Sequence, residues 1–396
     1  MANENEVLIA TGVRTPIGSL SGTLASVSAP ELGAVCIGEV LQRAKVSPDD
    51  VDEVIMGNVV GAGIGQNPAR QAAIRASLPP SVGATTVNKV CGSGLKAVMM
   101  AADGIRLGSA GVVVAGGMES MTQAPYLLSN ARQGYRMGNG ELVDSLIRDG
   151  LWDVYGDKHM GTYGDQCALK YSFSRGDQDD FAVRSYKRAL GAAAEGIFDE
   201  EIVPVETQVK RRTVTVSEDE EPGRFNEDKL RELRPAFGKE GTVTAGNASS
   251  VNDGAAALLV LSDRRCESLR VEPLARVVGA ATFSREPEWF TLAPIGALEK
   301  LLDEINWTVD DTDLFEINEA FSTVAMAAAR ELRIPDEKLN IYGGAVSLGH
   351  PIGCSGARIL VTLLTGLRHT EGKRGIACLC IGGGEAVALA VEMIGS

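Results

Sequence analysis

The chain repeats itself, and the repeat constrains its fold more than any other feature. "APELGAVCIGEVLQRAKVSPDDVDEVIMGN" (Ala29–Asn58) is echoed by "APIGALEKLLDEINWTVDDTDLFEIN" (Ala293–Asn318). Each reads as an amphipathic helix, an acidic turn and a short apolar strand ending in Asn. "PARQAAIRASLP" (Pro68–Pro79) then matches "AMAAARELRIP" (Ala325–Pro335). Finally "CGSGLKAVMMAADGIRLG" followed by "VVVAGGMES" parallels "CSGARILVTLLTGLR" followed by "IACLCIGGGEA". Matches in the same order favour duplication over chance. Strands alternating with helices predict an α/β chain with mixed sheets covered by helices on both faces. The two halves are expected as similar layers about a pseudo-twofold.

The repeat predicts a first half over 1–120 plus 245–270, a second over 271–396, and an insertion over 121–244. The insertion is richer in charge and aromatic residues. It shows one clear helix, Gln178–Glu195, among scattered short strands, and reads as a lid folded over the first half.

Charge and cysteine content narrow the function. At 396 residues the chain has room for two or three domains. A net charge of −14 argues against a nucleic-acid partner, which requires a basic face. No apolar run approaches the roughly 20 residues that span a bilayer. "MANENEV" has neither an apolar signal core nor an arginine-rich transit helix, and "EMIGS" carries no targeting tripeptide. The 7 cysteines show no paired framework, so reduced thiols in a cytoplasmic protein are expected.

Candidate chemistry gathers at glycine-rich segments. Cys91 stands in "VNKVCGSGLKAVMMAADGIRLG", between a strand and the start of a helix whose dipole is expected to lower the thiol pKa. The ordinary alternative is a small buried hydrophobe. Cys380 lies in "IACLCIGGGEAV". Cys378 and Cys380 are expected to point to opposite sides of this strand, the one nearer the glycines facing a cavity. No further Cys or His lies near enough to suggest a metal. Gly382, Gly383 and Gly384 can bring backbone N–H groups close to a ligand oxygen. His350, one of 3 histidines, sits in "GGAVSLGHPIGCSG" with nothing nearby in sequence to build a packed core, as befits a proton-transfer group or a surface loop. Asn318 and Glu319, in "EINEAF", end a buried strand and could simply cap a helix over Phe321–Leu332.

Together these segments resemble the thiolase family along essentially the whole chain. "VNKVCGSG", "GTVTAGNASSVNDGAAA", "NEAF", "NIYGGAVSLGHPIGCSG" and "CLCIGGGEA" carry the resemblance in order and spacing. It implies the thiolase fold, an αβαβα layering of two duplicated halves with an inserted loop domain. It implies Cys91 as nucleophile, His350 as its activating base and Cys380 as a second acid–base thiol. It further implies two oxyanion sites, one of His350 with a water held by Asn318, the other of the Cys91 and Gly382 N–H groups. The implied reaction is the reversible Claisen condensation of two acetyl-CoA to acetoacetyl-CoA and CoA, in fatty acid metabolism. CoA is then substrate and product, with no separate cofactor, and the usual assembly is a homotetramer.

"HMG" (His159–Gly161) resembles the short-chain synthetic group, with Met160 closing the acyl pocket. Phe237, Phe290 and Phe321 match apolar positions around pantetheine and acyl group; Ser249 matches a pantetheine contact, and Ala245 is a further substrate-binding candidate. Arg224, in a segment from Lys210 to Lys239 with eight basic and seven acidic residues, matches a position near the CoA nucleotide. Its ordinary alternative is a solvated surface arginine. "GTYGDQCA" (Gly161–Ala168) departs from the family's usual Ala-Glu-Asn run and leaves that wall of the pocket open. The competing functions are a degradative 3-ketoacyl-CoA thiolase of broader chain length, a β-ketoacyl synthase, which would need a second His in place of Asn318 and Cys380, and a non-catalytic CoA- or lipid-binding relative, which would be expected to have lost Cys91 or His350.

Overall fold

The computed structural model describes residues 6–209 and 211–395. Parts of the leader, basic-segment and C-terminal readings fall on residues 1–5, Lys210 and Ser396, outside those residues. The first half runs β1 (Val7–Arg14), α1 (Ala29–Ala44), β2 (Glu53–Gly57), α2 (Pro68–Arg75), β3 (Gly83–Val87), α3 (Ser93–Arg106) and β4 (Val112–Ser120). An inserted segment containing α4 (Gly161–Tyr171) and α5 (Arg175–Ala194) precedes β5 (Asn252–Ser262), which returns to the first half. The second half repeats the pattern as β6 (Ala275–Ser284), α6 (Ala293–Ile305), β7 (Leu314–Ile317), α7 (Ser322–Leu332), α8 (Ser355–His369), β8 (Arg374–Ile381) and β9 (Glu385–Met393).

One continuous sheet runs β7-β8-β9-β6-β1-β5-β4-β2-β3. The order reads the same from its centre outward, so β6 corresponds to β1, β9 to β5, β8 to β4 and β7 to β2. Within the sheet, among the described residues, the halves pair through the antiparallel partners Leu8–Arg276 and Ile9–Ala275. Among the described residues no full strand answers β3 in the second half, but a parallel bridge between Phe315 and Leu339 stands in its place.

Three cores define five layers. α1 and α2 cover the outer face of the first half through Leu32, Ile37, Val40 and Ala72. α6 and α7 cover the second through Leu298, Leu301 and Ala325. α3 and α8 fill the middle layer, where Leu95, Val98, Ile359 and Leu363 meet inner-face side chains from both halves. β4 and β5 are buried at every position, which explains their continuous apolar runs.

The middle helices meet without side chains at their N-terminal ends. A Cβ on Gly94 would lie 2.7 Å from Ala357 N and one on Gly57 2.7 Å from Gly353 O. Glycine is required there because backbone touches backbone. The N-termini of α3 and α8 therefore converge on one spot, between the halves.

Two expectations for the insertion are corrected. Its helix begins at Arg175 because Ser174 caps it: the Ser174 hydroxyl accepts Asp177 N–H at 3.1 Å and Asp177 takes Ser174 N–H at 2.8 Å. The insertion also packs against the second half. Phe181 joins the core under α6 and α7, Val183 packs with Val346, and Ala189 with Leu348.

Candidate active site

Between Val87 and Ser93 the chain turns tightly: Gly92 N–H donates to Lys89 C=O at 3.0 Å and Ser93 N–H to Val90 C=O at 3.1 Å. The Ser93 hydroxyl locks this turn, accepting Lys89 N–H at 2.8 Å and donating to Val90 C=O at 2.6 Å. Val90 is held at φ +46°, a left-handed conformation costing a β-branched residue on the order of 1–3 kcal/mol. The turn presents Cys91 just ahead of α3. A Cβ on Gly92 would strike Ile381, so glycine lets the second half close over the nucleophile.

The expected drop in the Cys91 pKa is reversed. Burial dominates and pushes the thiol up to about 11, against a smaller downward pull from the backbone N–H groups of Gly382 and Cys91. The resting group is a neutral thiol that needs a base.

The bare-loop expectation for His350 fails as well: every residue from 343 to 356 is buried. Two of its neighbours come from distant segments and the third from five residues further on. Asn252 Oδ1 accepts His350 N–H at 2.8 Å, Ser355 Oγ lies 2.5 Å from Nδ1, and Asn318 Nδ2 lies 3.5 Å from Nε2. Burial first, then the charge of Arg358, pushes the imidazole down to about 3. It is neutral at pH 7 and can take a proton.

The helix-cap alternative for Asn318 and Glu319 does not hold. α7 begins after Phe321 with no side-chain cap. Asn318 is fully buried with Oδ1 free of any hydrogen-bond partner. Glu319 is bound by Asn340 Nδ2 at 2.9 Å and Ser185 Oγ at 2.7 Å. An orphaned buried acceptor is costly unless something docks against it.

Cys378 and Cys380 share one face of β8, contrary to expectation, because side chains two apart in a strand point the same way. What separates them is position along the strand. Cys378 lies in the core under α6, with Sγ 3.9 Å from Pro294 O. Cys380 lies beyond it, against Phe290, Ala320 and Phe321. It is fully buried, and burial first, then the neighbouring Cys91, pushes its pKa far upward.

A cavity of about 320 Å³ opens above these groups. Cys91, His350 and Gly382 line its floor; His159, Met160, Phe237, Ala245, Ser249, Phe290 and Phe321 line its walls. His159 stacks on Phe237 with ring centroids 4.6 Å apart, and Met160 reaches over Gly382. Asn318 and Cys380 do not line the cavity. Arg224 stays outside it, on the surface, paired with Glu220 and Glu221. The departure at Gly161–Ala168 packs behind the cavity wall: Tyr163 donates to Asp153 at 2.7 Å and meets Phe290 edge-on at 6.1 Å. No cluster of metal ligands occurs among the described residues. A neutral thiol beside a neutral imidazole, facing a glycine N–H in an apolar cavity, suits acyl transfer through a thioester.

Comparison with known proteins agrees with this geometry. Residues 7–264 match the thiolase N-terminal domain and residues 271–393 the thiolase C-terminal domain. The chain belongs to the thiolase family. It is 49% identical over 389 residues to an acetyl-CoA acetyltransferase of Chromobacterium violaceum, covering 98% of this chain and 99% of that protein. It is 50% identical over 395 residues to acetyl-CoA acetyltransferase 2 of Arabidopsis thaliana, covering 99% and 98%. The crystal structure of the Bacillus anthracis acetyl-CoA acetyltransferase superposes with a TM-score of 0.96 at 41% identity, covering 99% of both chains. An Ascaris suum thiolase in complex with coenzyme A superposes at 0.93 with 42% identity, covering 98% of this chain and 100% of that one.

Several parts of this thiolase site were not read from its sequence. Val90, Met121, Leu151, Ala236, Val251 and Ile352 line the cavity, and Ser355 holds the imidazole. Ser355 had a visible signal, since it stands five residues after His350 at a helix start. The apolar wall had none, because its members come from separate loops.

Proposed function

We propose that this thiolase is an acetyl-CoA C-acetyltransferase, which condenses two acetyl-CoA reversibly to acetoacetyl-CoA and CoA. His350 takes the Cys91 proton, and the thiolate attacks the thioester carbon of the first acetyl-CoA. The C–S bond to CoA breaks and the departing CoA thiolate takes the proton back from His350, leaving acetyl-Cys91. His350, neutral again, takes the Cys380 proton, and the resulting thiolate takes a methyl proton from the second acetyl-CoA. The enolate carbon attacks the acetyl-Cys91 carbonyl, the Cys91–acyl bond breaks, and the Cys91 thiolate takes its proton back from His350. Charge on oxygen is met at two places, by His350 with Asn318 and by the N–H groups of Cys91 and Gly382; one such donor typically contributes about 100- to 1,000-fold in rate.

The observation that carries this reading is the single cavity that joins Cys91, His350 and Gly382 under the short lid of Met160. The names of the relatives point the same way. Arg224 is proposed to meet the CoA nucleotide by exchanging its acidic partners Glu220 and Glu221 for phosphate. A cytoplasmic homotetramer completes the proposal, supported by the seven unpaired cysteines and the family resemblance. No helix among the described residues is long and apolar enough to cross a membrane.

A thiolysis series over 3-ketoacyl-CoA chain lengths tests the reading. Acetoacetyl-CoA should give the highest kcat/KM, falling about 10- to 100-fold as the chain outgrows the pocket. Equal or better kcat/KM with a ten-carbon 3-ketoacyl-CoA would make the protein a degradative thiolase.

A further inference from the structure

Glu119 ends β4 and is fully buried, yet it takes no part in the chemistry above. Its oxygens receive hydrogen bonds from both halves of the molecule. Oε1 accepts Asn58 Nδ2 at 2.8 Å and Val60 N–H at 3.2 Å. Oε2 accepts Val59 N–H at 2.9 Å and Gly353 N–H at 2.9 Å. A carboxylate is acceptor-only, with two lone pairs on each oxygen, so only the ionised form satisfies all of these donors together. A protonated carboxyl or an amide would set a hydrogen against a hydrogen.

The donors lie where the active site is assembled. Gly353 stands three residues past His350 and directly before Cys354, which caps α8. Val59 and Val60 pack with Ile352, and Cys91 and Val90 rest on that same cluster. Gly353 has no slack: a Cβ there would come 2.8 Å from Glu119 Oε2 and 2.9 Å from Asn58 Cα. We propose that ionised Glu119 is a positioning residue that fixes the His350 loop against the Cys91 half and so sets the distance across which their proton moves. This rests on the acetyltransferase reading above and adds a required protonation state to it.

Burial raises the Glu119 carboxyl to about 7, with the backbone amides of Val59, Gly353 and Val60 pulling the other way and Asp253 adding to the rise. The charged and titratable groups that face it are Asp253 on β5 and the Cys354 thiol at the head of α8. The clamp is therefore made above pH 7 and released below it. His350, held near 3, cannot supply a limb in that range. Glu316, raised to about 8 and lying against Arg358, and Glu319 and Asp253, both also raised by burial, are left untouched by the variants below.

The test is the pH profile of thiolysis of acetoacetyl-CoA by the whole enzyme. The wild type should lose kcat with a midpoint near pH 7 as the pH falls. Glu119→Gln should lower kcat at pH 8 by at least tenfold with KM changed less than about threefold, since a misplacement of about 1 Å can cost about 100-fold, and its acid limb should vanish. Asn58→Ala keeps the carboxylate but removes one donor, so the limb should move to higher pH. Wild-type kcat in Glu119→Gln, an unchanged limb there, or an unshifted limb in Asn58→Ala overturns the proposal. Should Glu119→Gln not fold, the Asn58→Ala limb decides alone. A wild type with no turnover of acetoacetyl-CoA at pH 8 would instead count against the acetyltransferase reading.

Discussion

The Nδ1 atom of His350 and the hydroxyl of Ser355 lie 2.5 Å apart, and the same hydroxyl lies 2.9 Å from the Pro351 carbonyl. A serine hydroxyl has one hydrogen. Given to Pro351, it leaves Ser355 able only to accept from Nδ1–H, which places the imidazole lone pair on Nε2. That nitrogen faces Asn318 and the cavity. Ser355 thus selects the tautomer in which His350 can act as base.

Ser355→Ala should release that choice. The rate of Cys91 acetylation, followed by mass increase on its peptide, should fall about 10- to 100-fold, within the range a positioned base contributes. KM should hardly move, because Ser355 does not line the cavity. An unchanged acetylation rate would remove Ser355 from the proton path.

The titrations of Cys91 and His350 give a second outcome. With the thiol near 11 and the imidazole near 3, both are neutral at pH 7. Alkylation of Cys91 by iodoacetamide should keep rising with pH beyond 9. A plateau already reached near pH 7 would mean a preformed thiolate–imidazolium pair. Stability should respond as well. A histidine with a lowered folded pKa stabilises above its ordinary value of 6.5, and that contribution is lost as pH falls toward 3. Between pH 7.5 and 5 the wild type should lose about 1–2 kcal/mol more than His350→Gln, measured by denaturant unfolding.

Cys380→Ser separates the two half-reactions. A hydroxyl of similar size holds its proton far more tightly than a thiol and makes a poor base. Acetyl-Cys91 should still form, while condensation and the exchange of acetyl-CoA methyl protons with deuterated water should both fail. Methyl exchange at the wild-type rate would assign the base to another residue.

Met160→Ala opens the pocket above Gly382, where a Cβ would meet Met160 Cε at 3.4 Å. The kcat/KM for a six-carbon 3-ketoacyl-CoA, relative to acetoacetyl-CoA, should rise about 10- to 100-fold, since each methylene against a filled wall costs about 1–3 kcal/mol. Phe290 and Tyr163 stay in place, so ten-carbon substrates should remain poor. No change in the six-carbon ratio would show that the Phe290–Tyr163 wall sets chain length.

The sequence by itself determined the layered α/β fold and nominated the residues of the candidate site. Duplication is legible because a repeated period of apolar residues survives wherever the same face must be buried twice, as in Ala29–Asn58 and Ala293–Asn318. Cys91, His350 and Gly382 are legible because strand ends, glycines and helix starts are local signals. Tertiary structure decided how those residues behave. The helix start at Ser93 promised a lowered thiol pKa, but closure of the second half over Gly92 took Cys91 largely out of water, and desolvation outweighed the dipole. His350 looked unsupported because Asn252 and Asn318 reach it only from distant segments of the folded chain, Ser355 alone lying close in sequence. Glu119 gave no local signal, since its donors come from Asn58–Val60 and from Gly353, in opposite halves of the chain. Local sequence fixes which groups a turn or strand end presents; solvent exclusion and contacts between distant segments, which exist only in the folded chain, fix their charge and aim.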